Sequence, residues 1–199
     1  TEISHVKYSS SSIRKISIEG FNNSSAQILP IGTILMTTRA SIGDMSILLN
    51  EATTNQGFQS LIAKERIYNE FLYYLMLTKK GELLKNASGS TFLEISPKKV
   101  KAIYIPIPPN IHEQKAIATA LSDVDDLIAN LDKLITKKKA IKQGAMQQLL
   151  KGKIRLKGFE SNSGYKQSEL GLIPSDWDVK SLPEVFDYIH GKAHEQFID

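Results

Sequence analysis

Apolar and polar positions follow two different periods along this chain. Between Asn110 and Gly152 apolar residues fall at Ile117, Leu121, Val124, Ile128, Leu131 and Ile135, at spacings of 4, 3, 4, 3 and 4. That heptad rhythm predicts a helix lying along another helix. Ala120, Leu127, Leu134 and Ile141 add a third apolar row, so the stripe is wider than a two-stranded seam needs. Lys115, Asp123, Asp125, Asp126, Asp132, Lys133, Lys137 and Lys139 form the solvated remainder. Lys138, Lys142 and Gly144 weaken the seam, and Ala145 and Leu149 resume it. Pro108 and Pro109 block helix upstream. Asn110 is an N-cap with Glu113 placed for a capping box, and Gly152 suits the left-handed position after the last turn. The predicted helix, residues 111 to about 151, is roughly 60 Å long at 1.5 Å per residue. A rod of that length separates things or joins them.

Upstream the period is shorter. Ser12 to Ile18 alternates and predicts a strand or sheet edge, followed by a polar loop over residues 20–27. Thr33 to Thr38, Met45 to Leu49 and Phe58 to Ala63 are β-branched or apolar runs that predict strands. The loops between them are 39–44 and 50–57. Ile67, Phe71, Leu72, Leu75 and Met76 mark one face of a helix over residues 67–80, with a kink expected at Gly81 before Leu83 and Leu84. Asn86 to Thr91 is a polar loop. Ser96 caps a short turn starting at Pro97, and Ala102 to Pro106 predicts a last strand. The order gives an α+β class: a globular domain over residues 1–110, the long coiled-coil-like helix over 111–152, a Lys/Gly/Ser/Asn linker over 153–164, and a fresh start over 165–199. Turn signals at Gly171 and Pro174, an apolar anchor at Trp177 and the run Leu182 to Ile189 mark that last segment.

Composition narrows the function classes. Cysteine is absent from the 199 residues, which excludes disulfides and thiolate metal sites. No apolar run is long enough for a membrane span, and the first ten residues lack the apolar core of a secretory signal. A cytoplasmic protein is expected. Residues 1–110 carry +4 and residues 111–158 carry +5, whereas residues 159–199 carry −5. A basic body followed by an acidic tail suits a polyanionic partner for the body.

Catalytic motifs are missing. Histidines stand apart at His5, His112, His190 and His194; the last two have i, i+4 spacing, but Gly191 between them favours a loop over a metal site. There is no phosphate-binding glycine loop, and Pro108-Pro109-Asn110 is not the Asn-Pro-Pro-aromatic signature of amino-methyltransferases. Glu113-Gln114-Lys115 lacks the paired aspartate of a nuclease. Neither a metal nor a cofactor is expected on this chain. Nucleic-acid contact fits better. Arg39 and Ser41 lie in the loop after a predicted strand, and Asn55 and Gln56 offer amides for adenine edges as Arg39 does for guanine. Ser90 and Thr91 suit phosphate oxygens, as do Lys79, Lys80, Lys98 and Lys99. Solvated loop positions are the alternative for each.

Several of these stretches resemble one family. Ile95-Ser96-Pro97, Ile103 to Pro109, Glu113 to Ala118 and Leu149 to Arg155 resemble the end of a target-recognition repeat in the DNA specificity (S) subunit of type I restriction–modification systems. Thr54 to Gly57 and Ser88 to Thr91 resemble motifs inside that repeat. Leu172 to Trp177, with Val179 and Leu182, resembles the opening of the next one. The resemblance implies a non-catalytic subunit with two recognition domains, each reading half of a split double-stranded DNA target, joined by two antiparallel spacer helices. It implies methyltransferase partners, which bind S-adenosylmethionine, and restriction subunits through them. On this resemblance about one repeat is expected here, beginning part-way in. The expectations are therefore an antiparallel homodimer through Ile117, Leu121, Val124, Ile128, Leu131 and Ile135, and a tail, residues 165–199, that completes the partner's domain with Trp177 in its core. A helical scaffold whose globular end binds protein is the alternative function.

Overall fold

The computed structural model describes residues 2–3, 6–89, 93–160, 164–189 and 191. The chain divides into two compact units, residues 1–128 and 129–199.

The first unit is built on a four-stranded sheet. Its strands are β1 (Tyr8–Ser9), β2 (Ile34–Thr37), β3 (Met45–Leu48) and β4 (Phe58–Leu61). Their order is β1-β3-β2-β4, with β1 parallel to β3 and the other pairings antiparallel. Every residue of β2 and β3 is buried, so both faces of the sheet are covered. On one face Ile34, Met36, Met45 and Ile47 pack with Ile42, Tyr73, Met76, Leu83, Ile95 and Val100. On the other, Leu35 and Leu48 meet Ile3 and Leu29. The three strands at 34–61 are those the apolar runs predict.

Helices α2 (Asn69–Thr78) and α3 (Lys80–Asn86) follow. The break lies at Lys79, two residues before the expected kink at Gly81. Lys79 takes a bridge conformation that ends one helix and starts the next, and this turns Leu83 fully into the core. Short α4 (Pro97–Lys101) follows Ser96 with proline in its first turn, as the sequence predicts, though Ser96 makes no side-chain cap bond.

Two predicted strands are not strands. Within the alternating run 12–18, Ser17 accepts a hydrogen bond from the Gly20 amide and N-caps α1 (Ile18–Asn22). Local capping wins because the run has no core to face: Ile13 is 91% and Ile18 82% exposed. The expected loop at 20–27 accordingly begins as helix. Residues 102–106 keep an in–out alternation, with Ile103 and Ile105 against the core and Tyr104 exposed, but join no ladder. Pro106, Pro108 and Pro109 have no N–H to donate to one.

Helix α5 (Ile111–Leu149) is one unbroken element, about 58 Å long for its 39 residues. The Asn110 side chain accepts from the His112 amide at 2.9 Å, and its carbonyl accepts from Glu113 and Gln114.

In the second unit α5 ends as the sequence predicts. Gly152 has φ +66°, the Gly152 amide donates to Leu149 and the Lys153 amide to Gln148, a Schellman closure. A hairpin of β5 (Tyr165–Ser168) and β6 (Gly171–Pro174) then packs on that end. Tyr165 donates to the Gly152 carbonyl at 3.0 Å, and Arg155 holds Asp176 through two 2.8 Å hydrogen bonds while lying over the Trp177 ring. Trp177 is half-buried there. A 3₁₀ turn at Leu182–Glu184 follows.

Candidate nucleic-acid interface

The site forms where β2 runs out. Thr37 organises the loop to β3: its backbone exchanges hydrogen bonds with Gly43 and Asp44, and its hydroxyl reaches the Ser41 carbonyl. Gly43 has φ +83°, and a Cβ there would press on Lys80 and Leu83 at 3.2–3.3 Å, so glycine is the residue this turn favours. Thr38 then joins three loops. Its amide donates to Gly57 at 2.9 Å, and its carbonyl accepts from Ile95 at 3.1 Å. Ser88 and Glu94 exchange backbone hydrogen bonds at 2.9 and 3.1 Å. Loops 38–44 and 54–57 and the segments 87–89 and 93–95, far apart in sequence, thus meet at one end of the sheet.

Most of the candidate residues converge there. Arg39 is exposed, and its Nε lies 2.9 Å from the Glu94 carboxylate. Ser41 is part of the same turn. Asn55 accepts from the Gly57 amide at 2.9 Å, an Asx turn that leaves Gln56 exposed at the loop tip. Lys80 pairs with Asp44 at 2.7 Å. Lys99 donates to the Asn86 carbonyl at 2.7 Å beside this loop system, and Lys98 is exposed on α4. Lys79 turns to Glu82 on its own helix. Ser90 and Thr91 lie outside the described residues, as do His5, His190 and His194. Segments 38–44 and 79–101 hold seven basic and three acidic side chains, a local +4, which favours an anionic partner. Ala40, at φ 58°, is the one non-glycine with positive φ among the described residues. Holding alanine there costs about 1–2 kcal/mol, so the surrounding turn is firmly determined.

A second set of residues, not evident from sequence, fixes the root of α5 to the sheet domain. Lys7 donates to Glu70 at 3.2 Å, to Tyr74 at 3.0 Å and to Ser122 of α5. Tyr8 donates to Glu70 at 2.9 Å and Tyr74 to Asp125 of α5 at 2.5 Å. Burial is the largest influence on Lys7 and lowers its pKa, but the hydrogen bonds with Tyr74, Tyr8 and Glu70 outweigh it and hold the ammonium above lysine's ordinary value. Burial first, and then the bond to Asp125, raise Tyr74. Gln114 is fully buried, accepting from the Tyr68 amide at 2.9 Å and donating to the Arg66 and Pro108 carbonyls at 3.1 and 2.9 Å. Only tertiary structure brings these partners together; the one sequence signal is a polar residue on the apolar side of the first helical turns.

Beyond that root the apolar stripe lies open. Ile117 and Leu121 are 36% and 42% exposed, and Val124, Ile128, Leu131 and Ile135 about half exposed. No helix among the described residues is long and apolar enough to cross a membrane, and no cluster of His, Cys, Asp and Glu among them is arranged for a metal.

Residues 2–143 match the family model of the type I restriction modification DNA specificity domain, and the chain belongs to that family. It is 39% identical over 192 residues to the type I restriction enzyme MjaIX specificity subunit of Methanocaldococcus jannaschii, covering 95% of this chain and 44% of that one. It is 36% identical over 130 residues to the MjaVIII specificity subunit of the same organism, covering 65% and 29%. The chain therefore spans less than half the length of these relatives. The type I restriction–modification S subunit from M. genitalium shares the fold, with a TM-score of 0.51 at 20% identity over 74% of this chain and 39% of that one.

Proposed function

We propose that this chain reads one half of a split double-stranded DNA target and positions type I methyltransferase subunits, and through them restriction subunits, without chemistry of its own. The observation that carries this reading is the convergence of Arg39, Asn55, Gln56, Ser88 and Glu94, within a +4 surround, at one end of the sheet. Loops on a rigid sheet present base-reading groups while lysines meet phosphates. S-adenosylmethionine belongs on the methyltransferase partner, and the complex acts in the cytoplasm.

The open stripe of α5 supports antiparallel pairing with a second copy, because an apolar face of that width is not stable in water. Charge supports the direction. Residues 111–131 carry four acidic and one basic side chain, whereas residues 132–151 carry one acidic and six basic. Antiparallel helices lay opposite charges together; parallel ones oppose like charges along their whole length. Residues 165–199 are proposed to complete the partner's recognition domain. The outer edge of β4, unpaired among the described residues, offers a place for added strands. Trp177, however, packs at the end of α5 in its own chain, so the proposed exchange no longer places it in the partner's core.

The test is to produce the chain with a type I methyltransferase in a methylation-free host and sequence the modified bases. A split, palindromic methylation motif is expected; unmethylated or randomly methylated DNA refutes the proposal.

A further inference from the structure

We propose that Arg39 and Glu94 act as one reading unit for a guanine–cytosine pair, with Glu94 setting the arginine's orientation and selecting base edge over phosphate. The proposal rests on the DNA-recognition reading above and gives a role to Glu94, an acidic residue within a basic surround.

Both backbones are fixed from below. Ile95, fully buried, donates to the Thr38 carbonyl, so the residues that follow and precede that bond, Arg39 and Glu94, face each other in an isolated β-bridge. Glu94 is held a second time by its paired bonds with Ser88, and Arg39 by the left-handed Ala40 that follows it. The side chains remain about half exposed, 47% for Arg39 and 44% for Glu94. An ion pair that open adds little to stability, so stability does not explain why two loops 55 positions apart present it.

Its geometry does. The carboxylate lies 2.9 Å from the arginine's Nε, an ion pair at the inner edge of the guanidinium, and the two terminal amino groups are the fork that fits guanine O6 and N7. The carboxylate keeps unused lone pairs suited to the N4 amino group of cytosine. A lone arginine in this position binds any phosphate. With a carboxylate beside it the pair is close to neutral and repels phosphate oxygens, while guanine acceptors and a cytosine donor satisfy both partners. Glu94 therefore costs non-specific affinity and contributes discrimination.

The experiment is selection from a random-sequence duplex library with the full chain, for wild type, Arg39→Ala, Glu94→Ala and Glu94→Gln, followed by binding to the selected duplex and to a scrambled one. Wild type should select a motif containing a guanine–cytosine pair. Glu94→Ala should lower discrimination at that one pair by tenfold or more while binding scrambled DNA as tightly as wild type or tighter. Arg39→Ala should lose the same position and bind scrambled DNA more weakly. If Glu94→Ala melts below wild type, Glu94→Gln, which keeps the side chain's size and one acceptor, is read in its place with the same expectation. An unchanged motif in both Glu94 variants overturns the proposal while leaving the DNA-recognition reading intact, and so does a uniform loss of affinity for selected and scrambled DNA. If wild type selects no motif, the DNA-recognition reading fails and takes this proposal with it.

Discussion

Gln114 offers the sharpest test of how the long helix is held to the sheet domain. It is fully buried and makes three hydrogen bonds to backbone groups of segments 66–68 and 108. Replacing it with methionine keeps length and apolar packing but removes every polar atom. The Tyr68 amide then loses its acceptor, and two carbonyls lose a donor. An orphaned buried group costs about 1–3 kcal/mol. The carbonyls belong to Arg66, which is exposed, and Pro108, which is half-buried, so water relieves part of their loss, and a total of about 2–4 kcal/mol is expected. Helix propensity contributes almost nothing, since glutamine and methionine rank together. Urea unfolding followed by circular dichroism reads this as a lower midpoint at unchanged slope. Gln114→Glu adds a signature. One carboxylate oxygen still accepts from Tyr68, but the other faces two carbonyls, so the folded state raises the carboxyl's pKa. Stability should accordingly be highest at acid pH, where the protonated group donates again, and fall as pH rises through the folded-state value. A loss under about 0.5 kcal/mol for Gln114→Met, within the range of ordinary surface substitutions, would refute the anchoring argument.

Three further outcomes are expected. Leu131→Ala should weaken self-association by about 2–5 kcal/mol in light-scattering dilution series, yet leave the thermal midpoint of the dilute chain almost unchanged, since Leu131 is 48% exposed there. Gly152→Ala should lower the stability of the C-terminal unit, because an added Cβ would sit 2.3 Å from the Pro174 ring at a φ of +66°; hydrogen exchange at the β5–β6 hairpin measures it, and unchanged protection counts against the packing described. The hydrogen bonds from Arg155 hold the Asp176 carboxyl below its ordinary value, so their contribution is complete above the ordinary carboxylate range and fades as pH falls through the lowered one. An NMR titration of that carboxyl checks the direction.

The sequence revealed elements better than it revealed contacts. Strands β2, β3 and β4 and helix α5 were legible because each is a long or strongly periodic apolar run whose burial decides its shape. The run at 12–18 misled, since alternation without a core to face is only a pattern, and Ser17 started a helix instead. The run at 102–106 kept its alternation and lost its ladder to proline. Arg39, Asn55 and Gln56 were visible as loop residues of the right chemistry, and their convergence follows from bonds to Thr38 that no local rule supplies. Glu94, Gln114 and the Lys7–Tyr74–Asp125 network were hidden for the same reason: each acts through a partner tens of residues away.

The central claim is that the loop-bearing end of the sheet reads DNA sequence. The most direct measurement is the affinity of the full chain for a duplex selected from a random library, against a scrambled duplex of equal length, over a salt series. The account predicts tighter binding to the selected duplex at every salt concentration, with both affinities falling steeply as log salt rises because lysines displace counterions from phosphates. Equal affinity for the two duplexes, or binding that ignores salt, would contradict it.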